Sequence, residues 1–215
     1  MTPRANDRRG EPRDRRALTN VGGQSILQGD PRAAEVLADA LDVPTSAEAE
    51  EAARAHVHGF HSYPARMHPG TAARLIEALS SSGDAVLDPF CGSGTVLVEA
   101  RLAGCRAIGI DANPLAVRLA QIKACGTTEA ERAFLVAAAR PCAALADERR
   151  KARTGPTHRY GPADVALFDP HVLFELDSLR LGLDRVEDSV LRGDLELVLS
   201  AILMKVSRKA SDTSG

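Results

Sequence analysis

The chain has 215 residues, 44% of them hydrophobic, and a net charge of −2 at neutral pH. That suffices for one domain of ordinary size plus a tail. It lacks the basic excess of an obvious nucleic-acid binder, although a local basic face fits inside a neutral total. The four cysteines, Cys91, Cys105, Cys125 and Cys142, form no Cys-x-x-Cys pair and no disulfide framework. No apolar run is long enough to span a bilayer, and the N-terminus has no signal-peptide core. A cytoplasmic protein without membrane association is expected.

Residues 1–20 are rich in Arg, Asp, Pro and Asn and are expected to form a disordered tail. Residues 21–70 form a helical lead-in followed by a loop. Within it Ala34, Val36, Leu37, Ala40 and Leu41 recur at helical spacing, Pro44 ends the run, and Ser46 offers an N-cap to a second helix. The segment His56–Gly70, punctuated by Pro and Gly, reads as a loop. A helix over Thr71–Leu79 follows.

Residues 71–126 hold the informative unit. Ala85–Leu87 reads as a short buried strand, Gly92 and Gly94 as a turn, and Thr95–Ala103 as a helix stopped by Gly104. Ala107–Ile110 is a second buried strand ending at Asp111. Pro114 starts another helix. Strand, glycine turn, helix, strand is a βαβ unit, which predicts a parallel pair.

Residues 127–215 are mostly helical. The pattern runs from Glu129 to Lys151 with an interruption at Pro141. Thr154–Pro162 is a loop, Val165–Phe168 a candidate short strand, and Leu173–Leu183 and Leu191–Val206 are helices. Ser207–Gly215 is a polar, frayed end.

The chemistry concentrates in Asp88-Pro-Phe-Cys-Gly-Ser-Gly-Thr95. Gly92 and Gly94 permit positive φ and let a ligand approach the backbone. The helix after them points unpaired N–H groups at that ligand, which suits a carboxylate. Asp88 can accept from an ammonium group. Asp111, some 20 residues beyond the turn, can accept from both ribose hydroxyls, and Asn113 is placed for a further contact on the adenosine side. No Lys-Ser/Thr follows the second glycine, so this is not a phosphate-cradling P-loop. The spacing is not Gly-x-Gly-x-x-Gly, which disfavours a dinucleotide. Together these features suit S-adenosylmethionine.

Asp88–Thr95, with Val-Leu-Val-Glu-Ala behind it and Gly-Ile-Asp-Ala-Asn-Pro further on, resembles the S-adenosylmethionine-dependent amino-methyltransferases of nucleic acids. The likeness is greatest to DNA methylases acting on cytosine N-4 or adenine N-6. It covers Phe60 to about Ala124. It implies an α/β, Rossmann-like methyltransferase fold, here with an incomplete parallel sheet between a helical N-terminal lead-in and a helical C-terminal segment. It implies a cofactor site built from Tyr63, Pro64, Ala65, Arg66, Asp88, Pro89, Phe90, Cys91, Gly92, Gly94, Thr95, Asp111, Ala112 and Asn113, with the Tyr63–Pro69 segment closing over the methionine end. DNA is the implied partner, with RNA as the second choice, because RNA guanine amino-methyltransferases share nearly the same glycine loop.

That family's catalytic motif is an Asp, Asn or Ser followed by Pro-Pro and an aromatic, which hold and stack the target base. The nearest match, Asp169-Pro-His-Val172, reads better as a helix start with Asp169 as its cap. No catalytic residue is therefore assigned. The expectation is a truncated or split methyltransferase whose sheet a further segment or a second chain completes, with a catalytically silent cofactor-binding fragment or subunit as the alternative. Cys91 reads as a small residue fitting the turn. The histidines His56, His58, His61 and His68 match no zinc signature, so no metal is expected; they read as loop caps, or for His61 and His68 as neighbours of the cofactor. Tyr63 either covers the cofactor or packs under its loop. Glu99 reads as facing the sheet edge or solvent, and Arg118 and Lys123 as a solvated helix face.

Overall fold

The computed structural model describes residues 26–44, 46–64 and 66–208. The expected tail at 1–20, the expected cofactor residue Ala65 and residues 209–215 lie outside the described residues. Eleven elements follow in order: α1 (Pro31–Leu41), α2 (Ala47–Ala52), α3 (Pro69–Leu79), β1 (Ala85–Asp88), α4 (Thr95–Leu102), β2 (Arg106–Gly109), α5 (Pro114–Ala124), α6 (Glu129–Lys151), α7 (Pro162–Leu167), α8 (Pro170–Leu183) and α9 (Ser189–Val206).

Local chemistry sets the helix starts. Asp30, Ser46, Asn113, Thr128 and Asp188 each accept a backbone N–H in the first turn of the helix they precede, satisfying donors that have no intrahelical partner. Proline opens α1, α3, α5, α7 and α8, where its missing N–H costs nothing.

β1 and β2 pair in parallel, with Val86 opposite Ala107 and Leu87 opposite Ile108. Among the described residues this pair is the sheet. Its inner face, through Val86 and Ala107, packs on Ile76, Ala100 and Cys105. Cys91, Leu97 and Ala120 extend that packing toward α5. The strands are not buried as expected: Leu87 is 59%, Ile108 52% and Ile110 57% exposed. Parallel strands become fully buried only when both faces are covered, and here α3, α4 and α5 cover one.

Two further readings change. Val165 to Leu167 lies in helix α7, not in a strand. A short apolar run does not declare its period, and Gly161-Pro162, a helix-opening pair, decides the matter. Pro141 does not interrupt α6, which runs continuously for 23 residues. One lost hydrogen bond is outweighed by the packing of α6 on α8 and α9, where Cys142, Leu183 and Leu195 form a separate core cluster. Arg208, expected in a frayed end, is held: its N–H donates to Leu167 O at 2.7 Å and its guanidinium pairs with Asp169.

α6 and α8 meet at closest range where Gly182 faces Cys142. A Cβ on Gly182 would lie 2.7 Å from the Cys142 Cα. Gly182→Ala is therefore expected to push the two helices apart and cost about 1–3 kcal/mol. The urea midpoint measures this, and an unchanged midpoint would mean that the contact is not tight.

Candidate cofactor site

The site sits where the two strands end. The loop after β1 turns sharply because Gly92 and Gly94 take φ of +49° and +83°, a region that disfavours side chains. Gly94 also needs its bare Cα: a Cβ there would lie 2.9 Å from Ala120 Cα and Cβ of α5. The loop then enters α4, where no side chain caps the first turn. The N–H groups of that turn keep the partial positive charge of a helix start.

Asp111 joins the two strand-end loops. Its Oδ2 accepts from the Gly92 N–H and its Oδ1 from the Asn113 N–H, both at 2.8 Å. A carboxylate has about four acceptor sites, so two remain. Asp88 accepts from the Phe90 N–H at 3.0 Å and likewise keeps acceptor capacity. Phe90 itself is 86% exposed. Tyr63 reaches over from the lead-in loop: its hydroxyl accepts from Asn113 Nδ2 at 3.1 Å, and its ring stands against Gly92. Thr95 is buried, and its Oγ1 has no hydrogen-bond partner among the described residues.

The sequence-predicted residues Tyr63, Phe90, Cys91, Gly92, Gly94, Thr95, Asp111 and Asn113 thus gather around one loop. Arg66 anchors the lead-in loop from within. Its guanidinium donates to the His58 and His61 carbonyls at 2.8 and 3.2 Å, holding the lead-in loop in shape. Cys91 is buried, and its thiol is pushed up by burial and by the nearby Asp88 and Asp111. A thiolate is disfavoured there, as a turn-filling role requires.

Four contacts escaped the sequence reading. Glu99 does not face solvent; its Oε1 lies 2.5 Å from the Nε2 of buried His58. His61 Nε2 lies 3.1 Å from Ser200 Oγ of α9. Lys123 is buried rather than solvated, and its Nζ donates to the Ser93 carbonyl inside the glycine loop at 2.7 Å. Arg118 donates to Gly193 O at 2.5 Å, tying α5 to α9. A signal existed for two of them. Glu99 follows buried Thr95 by four residues, and Lys123 follows buried Leu119 by four, so each shares a helix face with core residues. His68 does act as a cap, its Nδ1 accepting from the Gly70 N–H.

Burial, with Arg66 adding to it, pulls Lys123 down to about 8. A lysine that ionises less readily when folded destabilises the fold while it stays protonated. The cost is present in full below the folded value and is relieved as pH rises from about 8 toward the unfolded value of 10.5. Lys123→Met is expected to remove this dependence, worth about 3 kcal/mol over the full window. Chemical denaturation at pH 7.5 and 9.5 checks it: wild type gains on the variant at the higher pH, and parallel curves would refute the buried charge.

Residues 36–122 match the model of a DNA methylase family. The Type II methyltransferase M.MjaII of Methanocaldococcus jannaschii is 38% identical over 68 residues, 32% of this chain and 13% of that protein. The Type II methyltransferase M.MvaI of Kocuria varians is 39% identical over 69 residues, 31% and 15% of the two chains. The tRNA (guanine(10)-N2)-dimethyltransferase of Methanothermobacter thermautotrophicus is 43% identical over 60 residues, 27% and 18%. The chain thus spans less than a fifth of each of these curated relatives. No solved structure matches it.

Proposed function

We propose that this chain supplies the S-adenosylmethionine-binding part of a methyltransferase acting on an exocyclic amine of a DNA base, cytosine or adenine. The observation that carries the reading is the Asp111 bridge. One carboxylate, two residues past the second strand, orders the glycine loop through Gly92 and still has acceptors left for two ribose hydroxyls. The matched family supports the chemistry, and the βαβ unit supports a Rossmann-like methyltransferase fold.

The residues present fit the cofactor. The uncapped start of α4 suits its carboxylate. Asp88 suits its ammonium, with Pro89, Phe90, Cys91 and Gly94 shaping the turn. The orphaned Thr95 hydroxyl offers one further polar contact. Asp111, Ala112 and Asn113 suit the ribose side, and Tyr63 would cover the loop, within the proposed segment of Tyr63, Pro64, Ala65 and Arg66. When bound, S-adenosylmethionine supplies an electrophilic methyl carbon. The chain's own part is to orient the cofactor and to exclude water through Tyr63. No catalytic residue is assigned. Asp169 starts α8 and pairs with Arg208, which fits a helix start, though its side chain makes no capping bond.

The division into tail (1–20), lead-in (21–70), cofactor core (71–126) and helical segment (127–215) follows from this reading, as does a cytoplasmic setting. Among the described residues no helix is long and apolar enough to cross a membrane. The uncovered face of Leu87, Ile108 and Ile110 supports a sheet completed by a further segment or second chain that brings the base-holding loop. A second reading, tRNA guanine as substrate, is favoured by the tRNA dimethyltransferase among the relatives.

Calorimetric titration of S-adenosylmethionine tests the site, and transfer of labelled methyl groups to DNA and to tRNA tests the substrate. Binding with label in DNA supports the proposal, and label in tRNA alone moves it to the second reading. A folded chain that binds no cofactor would overturn it.

A further inference from the structure

Residues 149–161 read Arg-Arg-Lys-Ala-Arg-Thr-Gly-Pro-Thr-His-Arg-Tyr-Gly: five Arg or Lys, one His and no acid, in a chain of net charge −2. The stretch ends α6 and forms the loop leading to α7. Arg153, His158 and Arg159 are all exposed.

This loop is held from inside. Asp177 of α8 is fully buried and accepts from the Thr157 N–H at 2.8 Å, the Thr157 hydroxyl at 2.6 Å and the Tyr160 hydroxyl at 2.6 Å. Burial pushes its carboxyl up, but the hydrogen bonds from Thr157 and Tyr160 outweigh that and hold it below the usual range. Arg149 donates to Ser178 Oγ at 3.1 Å and to Gly155 O at 2.7 Å. Arg180 reaches His158 Nδ1 at 2.8 Å.

Most of the nearby acids are already engaged, Glu148 being the exception. Asp147 pairs with Arg150 and Lys151, Glu175 with Arg150, Asp184 with Arg180, and Asp164 accepts the Gly161 N–H. Arg153 and Arg159 have no ion pair among the described residues. The buried Asp177 carboxylate thus fixes the loop's shape, while two guanidiniums project to solvent. Freezing a loop costs about 1–2 kcal/mol per residue, and here the fold has met that cost before any partner arrives. Both cations stand exposed, which gives a small anion little to enclose it. Guanidiniums spread along an ordered ridge fit the repeating phosphates of a nucleic-acid strand.

We propose that the 153–159 ridge, with Arg153 and Arg159 as its contacts, binds the phosphodiester backbone of the nucleic-acid substrate. This rests on the reading of the chain as a nucleic-acid methyltransferase.

Fluorescence anisotropy of the full chain, with a short DNA duplex and an RNA hairpin of equal phosphate number, tests it across a salt series. Arg153→Asn/Arg159→Ser is compared with Arg32→Ser/Arg140→Ser, a pair of equal charge change on exposed helix positions. Asparagine is chosen at Arg153 because φ there is +51°, and asparagine tolerates that region. The ridge variant is expected to flatten the slope of log affinity against log salt by about 2 on duplex DNA, with the control pair unchanged. Loss on one probe only identifies DNA or RNA as the ligand, and either supports the ridge. Equal loss in both variants, an unchanged slope, or no binding of either probe overturns it. Cofactor titration on the same samples separates the two claims. A ridge effect without cofactor binding sinks the methyltransferase reading alone. Cofactor binding without a ridge effect sinks the ridge alone.

Discussion

Asp111→Ala is expected to weaken S-adenosylmethionine binding by 100-fold or more and to loosen the glycine loop in the same stroke. Two hydrogen bonds from ribose hydroxyls to a charged acceptor contribute roughly 1.5–3 kcal/mol each, and every 1.4 kcal/mol is a factor of ten in affinity. The alanine also leaves the Gly92 N–H without the acceptor it has at 2.8 Å. Asp111→Asn separates the two effects. Its amide oxygen can keep the Gly92 bond while the charge that favours the ribose is gone. Amide exchange at Gly92 should therefore speed up in the alanine variant and stay slow in the asparagine one, while calorimetry shows weaker binding in both. Wild-type affinity in the alanine variant would remove Asp111 from the site.

The second large effect is expected at Asp177. Asp177→Ala strands Thr157 and Tyr160, and leaves mostly buried Arg149 without the carboxylate 3.8 Å away. Loss of such a buried, paired charge costs about 3–5 kcal/mol. For a chain of this length that lowers the melting temperature by roughly 10 °C. The phenol of Tyr160 gives an independent readout. Burial, then the hydrogen bond to Asp177 and its charge, pushes it up to about 12. In the variant its absorbance titration should move back toward 10. A Tyr160 titration unchanged by the substitution would mean that Asp177 does not hold the loop.

Much of the glycine loop's geometry was legible because its chemistry is local. Positive φ at Gly92 and Gly94 is a property that few other residues supply, and a carboxylate closing the next strand needs only the right spacing. Two helix starts were legible for the same reason: Ser46 caps α2 and Pro114 opens α5. Contacts between distant segments were not. Nothing local about His61 announces Ser200, 139 residues later, and nothing about Asp177 announces Thr157 and Tyr160 twenty and seventeen residues before it. Exposure of the strands was missed on different grounds. Val86, Leu87, Ile108 and Ile110 have the composition of buried strands, but composition does not reveal how many layers cover them. Pro141 was misjudged because its cost was weighed without the α8 surface against which α6 packs.

The four cysteines differ in one respect. Cys91, Cys105 and Cys142 are buried, and Cys125, next after the last residue of α5, is exposed. A thiol-directed fluorophore will therefore couple to a single position in the folded chain. That position lies two residues from Lys123, whose ammonium grips the glycine loop at Ser93. The native sequence thus carries its own optical reporter, and loop movement on ligand binding can be followed in real time without engineering a label site.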